Sequence, residues 1–242
     1  MKLRADQLLV ERGLCESRAR AQAAIAAGLV TADDLPVRKA SQMLAPTAVL
    51  TAQSPHPYVS RGGLKLAEAL DAFGFDPKGR ICLDVGASTG GFTDLLLRRG
   101  AALVIAVDVG RDQLHASLRG DRRVVSLEAR DIRTLKPAEL PDAPTLAAID
   151  VSFISLRLVL PAVAALLAPG AQIAALIKPQ FEAGRAALKK GIVRDEAVHQ
   201  AVCTEIAALL GTLGFAVEGP IPSPIEGGDG NREFLIGAKK LG

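Results

Sequence analysis

ICLDVGASTGGFTDLLLRR, residues 81–99, holds the fold in miniature. Ile81 to Val85 is an apolar run of strand length. It passes through a glycine-rich turn, Gly86-Ala87-Ser88-Thr89-Gly90-Gly91, and reopens as a helix from Phe92 to Arg99. Glycine lets a backbone approach a ligand closely, and a helix start offers amides with no partner inside the helix. Strand, glycine-rich turn and helix in that order open an α/β sheet that binds ligands at its strand ends.

Downstream the same rhythm repeats. Leu103–Val107, Val124–Leu127, Leu146–Ile149 and Gln172–Ile177 read as strands, and Leu156–Leu167 and Asp195–Leu213 as helices. This alternation predicts a mostly parallel sheet with helices on both faces. Phe215–Glu218 and Glu233–Gly237 are separated only by a Gly/Pro-rich loop, with no room for a crossover helix, so the last strand is expected to be antiparallel.

Upstream, residues 1–52 read as a separate small α+β unit. Asp6–Arg12 is a helical turn stopped by Gly13. Ser17 caps a second helix, Arg18–Ala27, stopped by Gly28. Leu29–Thr31 and Ala48–Thr51 read as strands, with a turn at Asp33-Asp34. Gln53-Ser54-Pro55-His56-Pro57 reads as a linker, since prolines disfavour helix. The expected domains are residues 1–57 and 58–242.

The bulk numbers narrow the function. Of 242 residues, 49% are hydrophobic and 23% charged, which suits a packed core. Cys15, Cys82 and Cys203 form no C-x-x-C pair, so neither zinc nor a disulfide framework is expected, and a reducing cytoplasm is the simpler setting. The charged start, Met1 to Asp6, lacks the apolar core of a signal peptide. Leu158 to Ile177 is an uncharged stretch of membrane-spanning length, but Pro161 sits near its start and Pro169-Gly170 breaks it in the middle, so it reads as helix, turn and strand. Residues 1–65 hold nine Lys/Arg against five Asp/Glu, whereas residues 66–242 hold 20 against 21. A basic end on a neutral body suits a polyanion partner.

The chemistry lies at the strand ends. G-x-S-x-G at Gly86–Gly90 also fits a hydrolase elbow, with Ser88, Asp150 and His199 in a hydrolase order. Two further acids favour a nucleoside pocket instead. Asp108 ends the second strand, where a carboxylate can accept ribose hydroxyls, and Asp131 follows the third, where it could accept from an adenine amine. Lys65, Asp150, Lys178 and Glu233 form a second set. Asp150 and Lys178 each follow a strand, at the rim where open α/β sheets bind ligands, and Glu233 opens the last strand.

On these motifs the chain resembles the TlyA family of ribosomal RNA 2'-O-methyltransferases, often labelled haemolysin-like, with an FtsJ-like catalytic domain. The resemblance is most specific in Ser60–Lys65, Asp84–Asp94, Asp150–Ile154 and Lys178–Glu182. It implies a Rossmann-like methyltransferase sheet and S-adenosylmethionine as cofactor. The cofactor would be held by Asp84, Gly86, Ser88, Gly90, Gly91, Asp108 and Asp131. The catalytic tetrad would be Lys65, Asp150, Lys178 and Glu233, with Lys178 as the base or as a charge facing the developing alkoxide. The expected reaction is methyl transfer to a ribose 2'-hydroxyl of ribosomal RNA, at a cytidine, on RNA or ribosomal subunits, with no membrane partner. Residues 3–50 resemble the S-four-type RNA-binding module through Arg4, Asp6, Leu8-Leu9, Gly13, Ser17-Arg18, Ala21, Ile25 and Gly28–Val30. Arg4, Arg18 and Arg20 would meet phosphates. Such modules usually carry an Asn-Gly turn where this chain has Asp33-Asp34, which leaves the form of that turn open. Leu188-Lys189 likewise stands where the family has glycines, before Lys190-Gly191.

Overall fold

In the computed structural model, residues 2–15, 17–53 and 56–241 are described. Ser54 and Pro55 of the expected linker lie outside them. The chain divides into two units, residues 1–57 and 58–242.

In the first unit the apolar faces of two short helices meet short strands. The chain runs β1 (Leu3–Arg4), α1 (Ala5–Glu11), α2 (Arg18–Ala26), β2 (Val30–Ala32), β3 (Leu35–Pro36), β4 (Met43–Leu44) and β5 (Leu50–Ala52). Ser17 caps α2 by accepting from the Arg20 amide, and Leu8, Leu9, Ile25 and Val30 fill the core. β3-β2-β5 form one antiparallel sheet and β1-β4 another. Asp33 and Asp34 both take positive φ, 49° and 62°, the conformation of a two-residue hairpin turn. The Asp33 carboxylate accepts from the Val49 amide at 2.8 Å, so a side-chain bond supports a turn usually built with glycine. The short strands β1, β3 and β4 were not visible in the sequence pattern.

The second unit is a seven-stranded sheet, in order β11-β12-β10-β9-β6-β7-β8. Its elements are α3 (Gly62–Ala72), β6 (Ile81–Val85), α4 (Gly91–Arg98), β7 (Leu103–Val107), α5 (Ala116–Arg119), β8 (Val124–Leu127), β9 (Leu146–Ile149), α6 (Leu156–Leu166), β10 (Gln172–Ile177), α7 (Pro179–Glu182), α8 (Glu196–Thr212), β11 (Phe215–Pro222) and β12 (Phe234–Lys240). Strand alternation sorts the core. Leu83, Val85, Ile105 and Ile149 face α6 and α8, while Cys82, Val104, Leu146 and Ala148 face α3 and α4. β12 pairs antiparallel with both β10 and β11, as expected of the last strand. Both final strands are longer than their apolar patterns suggested.

Pro161 sits inside α6, and the chain turns at Pro169-Gly170, as expected, where Gly170 has φ +69°. Lys190 and Gly191, both at positive φ, close a two-residue hairpin between Lys189 and Ile192, so this loop forms without the expected glycines. Among the described residues no helix is long and apolar enough to cross a membrane.

After β6 the chain moves outward through β7 to β8, then returns to lay β9 on the other side of β6. The strand order therefore reverses between β6 and β9, and a crevice opens beyond their carboxyl ends.

Candidate active site

The loop after β6 lies over that crevice. Gly86 has φ +83°, and a Cβ there would run into the Asp150 carbonyl, so only glycine lets the two strand ends approach this closely. The Gly86 amide donates to the Val107 carbonyl at 2.9 Å. Ser88, at φ +46°, donates its amide to Asp108 Oδ2 at 2.8 Å, and Gly110 donates to Asp108 Oδ1 at 2.7 Å. Asp108 thus ties the loop to the next strand while still facing the crevice.

Two cavities meet here. One, of about 640 Å³, is lined by Asp108, Arg130, Asp131 and Phe153 among others. The other, of about 240 Å³, is lined by Ser60, Arg61, Lys65, Gly91 and Phe92 among others. Gly86, Ser88 and Asp150 belong to both walls. Asp131 caps a short 3-10 turn and is paired with Arg133 at 2.6 Å, whose hydrogen bonds hold its carboxyl below the usual range.

Two of the expected cofactor residues stand off these walls. Gly90, at φ +93°, packs against Leu118 and Leu114. Asp84 is fully buried beneath the loop, where Thr93 Oγ1 donates to its Oδ2 at 2.6 Å and its Oδ1 has no partner. Burial pushes this carboxyl up to about 7, against the Thr93 hydrogen bond. Its reach to a ligand runs through the loop it supports.

The four rim charges form two ion pairs. Lys65, on α3, donates to Glu233 Oε2 at 2.5 Å. Lys178, just after β10, lies 2.6 Å from Asp150 Oδ1 and donates to Ser152 Oγ at 2.9 Å. β10 and β12 are in register at Ile177 and Phe234, which makes Lys178 and Glu233 neighbours just beyond the paired strands. Lys65 and Asp150 share the smaller cavity, so all four residues converge on one place.

The hydrolase alternative has no such geometry. His199 is buried on α8, donates Nε2–H to the Val193 carbonyl at 3.1 Å and packs edge-on against Phe234. Asp150 is paired with a lysine rather than a histidine.

In the first unit the arginines are not free-standing. Asp6, fully buried, accepts from Arg4 at 2.9 Å, from Arg18 at 2.9 Å and from Gln22 at 2.9 Å. The Arg4 and Arg18 side chains are 38% and 54% exposed, so they are held from one side and partly open to solvent. Arg20, expected to be exposed, is half-buried.

Residues 58–240 match the model of the FtsJ-like methyltransferases. The chain belongs to that family. Residues 3–50 match the S4 domain. YqxC of Bacillus subtilis is 49% identical over 97% of this chain and 85% of its own length. The 16S/23S rRNA (cytidine-2'-O)-methyltransferase TlyA of Mycobacterium tuberculosis is 43% identical over 97% of this chain and 89% of its own. A solved structure from Streptococcus thermophilus that carries a hemolysin name is 45% identical, covers 99% of this chain and 89% of its own, and has a TM-score of 0.79.

Several residues of this FtsJ-like site were not singled out from sequence. Ser152 stands two residues past Asp150, where the strand-end argument could have found it. Glu128 accepts from the amides of Asp112, Gln113 and Leu114 and shapes the loop beside the larger cavity, with no sequence signal at all. Asn231 is buried, accepts from the Val193 amide and donates to the Gly191 carbonyl, clipping that hairpin next to Glu233.

Proposed function

We infer that the protein binds S-adenosylmethionine at the β6–β9 crevice and methylates a ribose 2'-hydroxyl of ribosomal RNA, at a cytidine, on ribosomal subunits in the cytoplasm. The observation that carries this reading is the Lys178–Asp150 pair at the junction of the two cavities. The rRNA (cytidine-2'-O)-methyltransferases named TlyA in M. tuberculosis and Campylobacter jejuni agree with it.

The residues present suit the cofactor. The loop residues Gly86 and Ser88 line both cavities beside Asp108 and Asp131, two carboxylates that can accept from hydroxyl and amine groups. Gly86, Ser88, Asp108 and Asp131 would hold the nucleoside, with Asp84 fixing the loop from below. When bound, the cofactor supplies a methyl group on an electrophilic sulfonium. The chain's task is then to orient the hydroxyl and manage its proton. Lys178 stands where it can take that proton or face the alkoxide, Asp150 holds the lysine in place, and Lys65 with Glu233 closes the other wall. Phe153, exposed at the rim and packed against Phe181 at 5.1 Å between ring centroids, offers a face for the target base. The Asp6-held arginines of the first unit supply phosphate contacts.

Incubation with tritiated S-adenosylmethionine and unmodified ribosomal subunits tests the reading, with label mapped by resistance to alkaline cleavage. Resistance at one cytidine is the expected result. Label without resistance would move the target to a base. Removing residues 1–57 is expected to weaken RNA binding and leave cofactor binding intact, as filter binding and calorimetry would show.

A further inference from the structure

We propose that Ser152 is a positioning residue for Lys178, holding the amine through both of its protonation states. The proposal rests on the reading of the site given above and deepens it.

Lys178 has two polar partners close at hand, and they differ in kind. Asp150 Oδ1, at 2.6 Å, is an ionised acceptor. It can accept an N–H from either form of the amine but has no hydrogen to donate to the lone pair of the neutral one. Ser152 Oγ, at 2.9 Å, is a hydroxyl. It accepts from the ammonium and, after turning its own hydrogen, donates to the lone pair of the amine. A lysine that takes a proton from a ribose hydroxyl passes through both forms. The ammonium would first give one proton to water; the ribose oxygen would then bond to the methyl carbon as that carbon's bond to the sulfonium sulfur breaks and leaves a neutral thioether, while the ribose proton passes to the neutral Lys178 amine and restores the ammonium. Ser152 is the partner that fits both ends of that cycle.

The backbone places this hydroxyl deliberately. Phe153, the next residue, takes a left-handed conformation at φ +64°, which a bulky side chain rarely adopts. The turn throws the Phe153 ring outward, 92% exposed, to pack against Phe181. Further along, Ser155 Oγ and the Leu156 amide both donate to Glu182, at 2.5 and 2.7 Å. The segment after β9 and the segment after β10 are therefore joined at three successive points: Asp150 and Ser152 to Lys178, Phe153 to Phe181, and Ser155-Leu156 to Glu182. Two loops pinned on both sides of Ser152 fix where its hydroxyl can be, and with it the direction of the Lys178 chain.

The test compares Ser152→Thr with Ser152→Val in the full chain. The two differ only in a hydroxyl against a methyl group. Methyl transfer is measured on unmodified ribosomal subunits, after wild type has been shown to methylate a ribose hydroxyl. If wild type fails that step, the reading of the site fails and not the role of Ser152. Ser152→Val is expected to lower kcat on the order of ten- to a hundredfold and to change the shape of the pH–kcat profile. The KM for subunits and the affinity for S-adenosylhomocysteine should stay within about twofold, since mutations that remove transition-state interactions act on kcat. Ser152→Thr should restore most of kcat and the wild-type profile. Ser152→Ala replaces the valine variant if the latter no longer binds S-adenosylhomocysteine. A Val variant with wild-type kcat, a loss confined to KM, or a Thr variant as slow as Val would each overturn the proposal.

Discussion

The two lysine–carboxylate pairs are alike in chemistry and unlike in setting. Lys65–Glu233 is closed in, with 10% and 3% of the two side chains exposed. In the other pair Lys178 is 11% exposed, but Asp150 is 21% exposed and lies on the walls of both cavities. A closed pair has little freedom to exchange partners, and its geometry is part of the packing. An open pair can trade a partner for substrate and hand a proton to water. On the proposed function, the difference suits Lys178–Asp150 to the proton transfer and Lys65–Glu233 to shaping the wall. A buried ion pair gives little net stability over apolar residues, but losing one partner is costly because the other charge remains.

The largest effect should come from the open pair. Lys178→Ala is expected to lower kcat about 10³- to 10⁴-fold, or about 4–5.5 kcal/mol in the barrier. S-adenosylhomocysteine affinity should change little, and stability by no more than about 1–3 kcal/mol, since Asp150 is left without its lysine. Single-turnover methylation beside calorimetric binding would check this. Retained turnover would break the assignment, and a parallel loss of cofactor binding would make Lys178 a structural residue like its closed counterpart.

The closed pair should respond through stability. Glu233→Ala leaves Lys65 charged and nearly buried, and is expected to destabilise the fold by about 3–5 kcal/mol. Asp150→Ala leaves Lys178, about as enclosed as Lys65, still donating to Ser152, and should destabilise by less, about 1–3 kcal/mol. Joint replacement, Lys65→Met with Glu233→Leu, should recover most of the melting temperature lost in Glu233→Ala. Denaturant midpoints for the four proteins decide the matter. Equal losses in Glu233→Ala and Asp150→Ala would erase the distinction between the pairs.

This distinction could not be read from sequence, although much of the fold could. β6, β7, β9 and β10 fall where their apolar runs placed them, because a parallel strand buried on both faces has little freedom in composition, and the half-buried edge strand β8 follows its own apolar run. Gly86 and the positions of Asp108 and Asp150 follow from the same strand ends. Which charge pairs with which does not. Lys65 and Glu233 are 168 residues apart, and only the register of β12 against β10 brings Glu233 beside Lys178. α3, which carries Lys65, was missed because Arg61-Gly62-Gly63 reads as a loop. Asp84 looked like a ligand because it opens the motif, but a residue on a central strand can point under the loop as well as over it. The left-handed Phe153 left no trace, since no glycine or asparagine marks it.

Asp84 provides the sharpest small test, because it shows what a carboxylate does in this interior without a lysine. Its Oδ1 has no partner, and burial raises the carboxyl from 3.8 to about 7. A carboxyl raised in the fold binds its proton more tightly there than in the unfolded chain. The native state then holds more protons between those two values, so stability is greatest below about pH 4, falls as the pH rises toward 7, and levels off above it. Across one pH unit inside that window the loss is about 1.4 kcal/mol. Asp84→Asn keeps an oxygen to accept from Thr93 and removes the titration. Between pH 5 and pH 6 the variant should gain on wild type by roughly that amount, or about 3–6 °C in melting temperature. Parallel pH profiles for the two proteins would mean that Asp84 finds a compensating donor after all, and that an unpaired carboxylate is no measure of what the two lysines contribute.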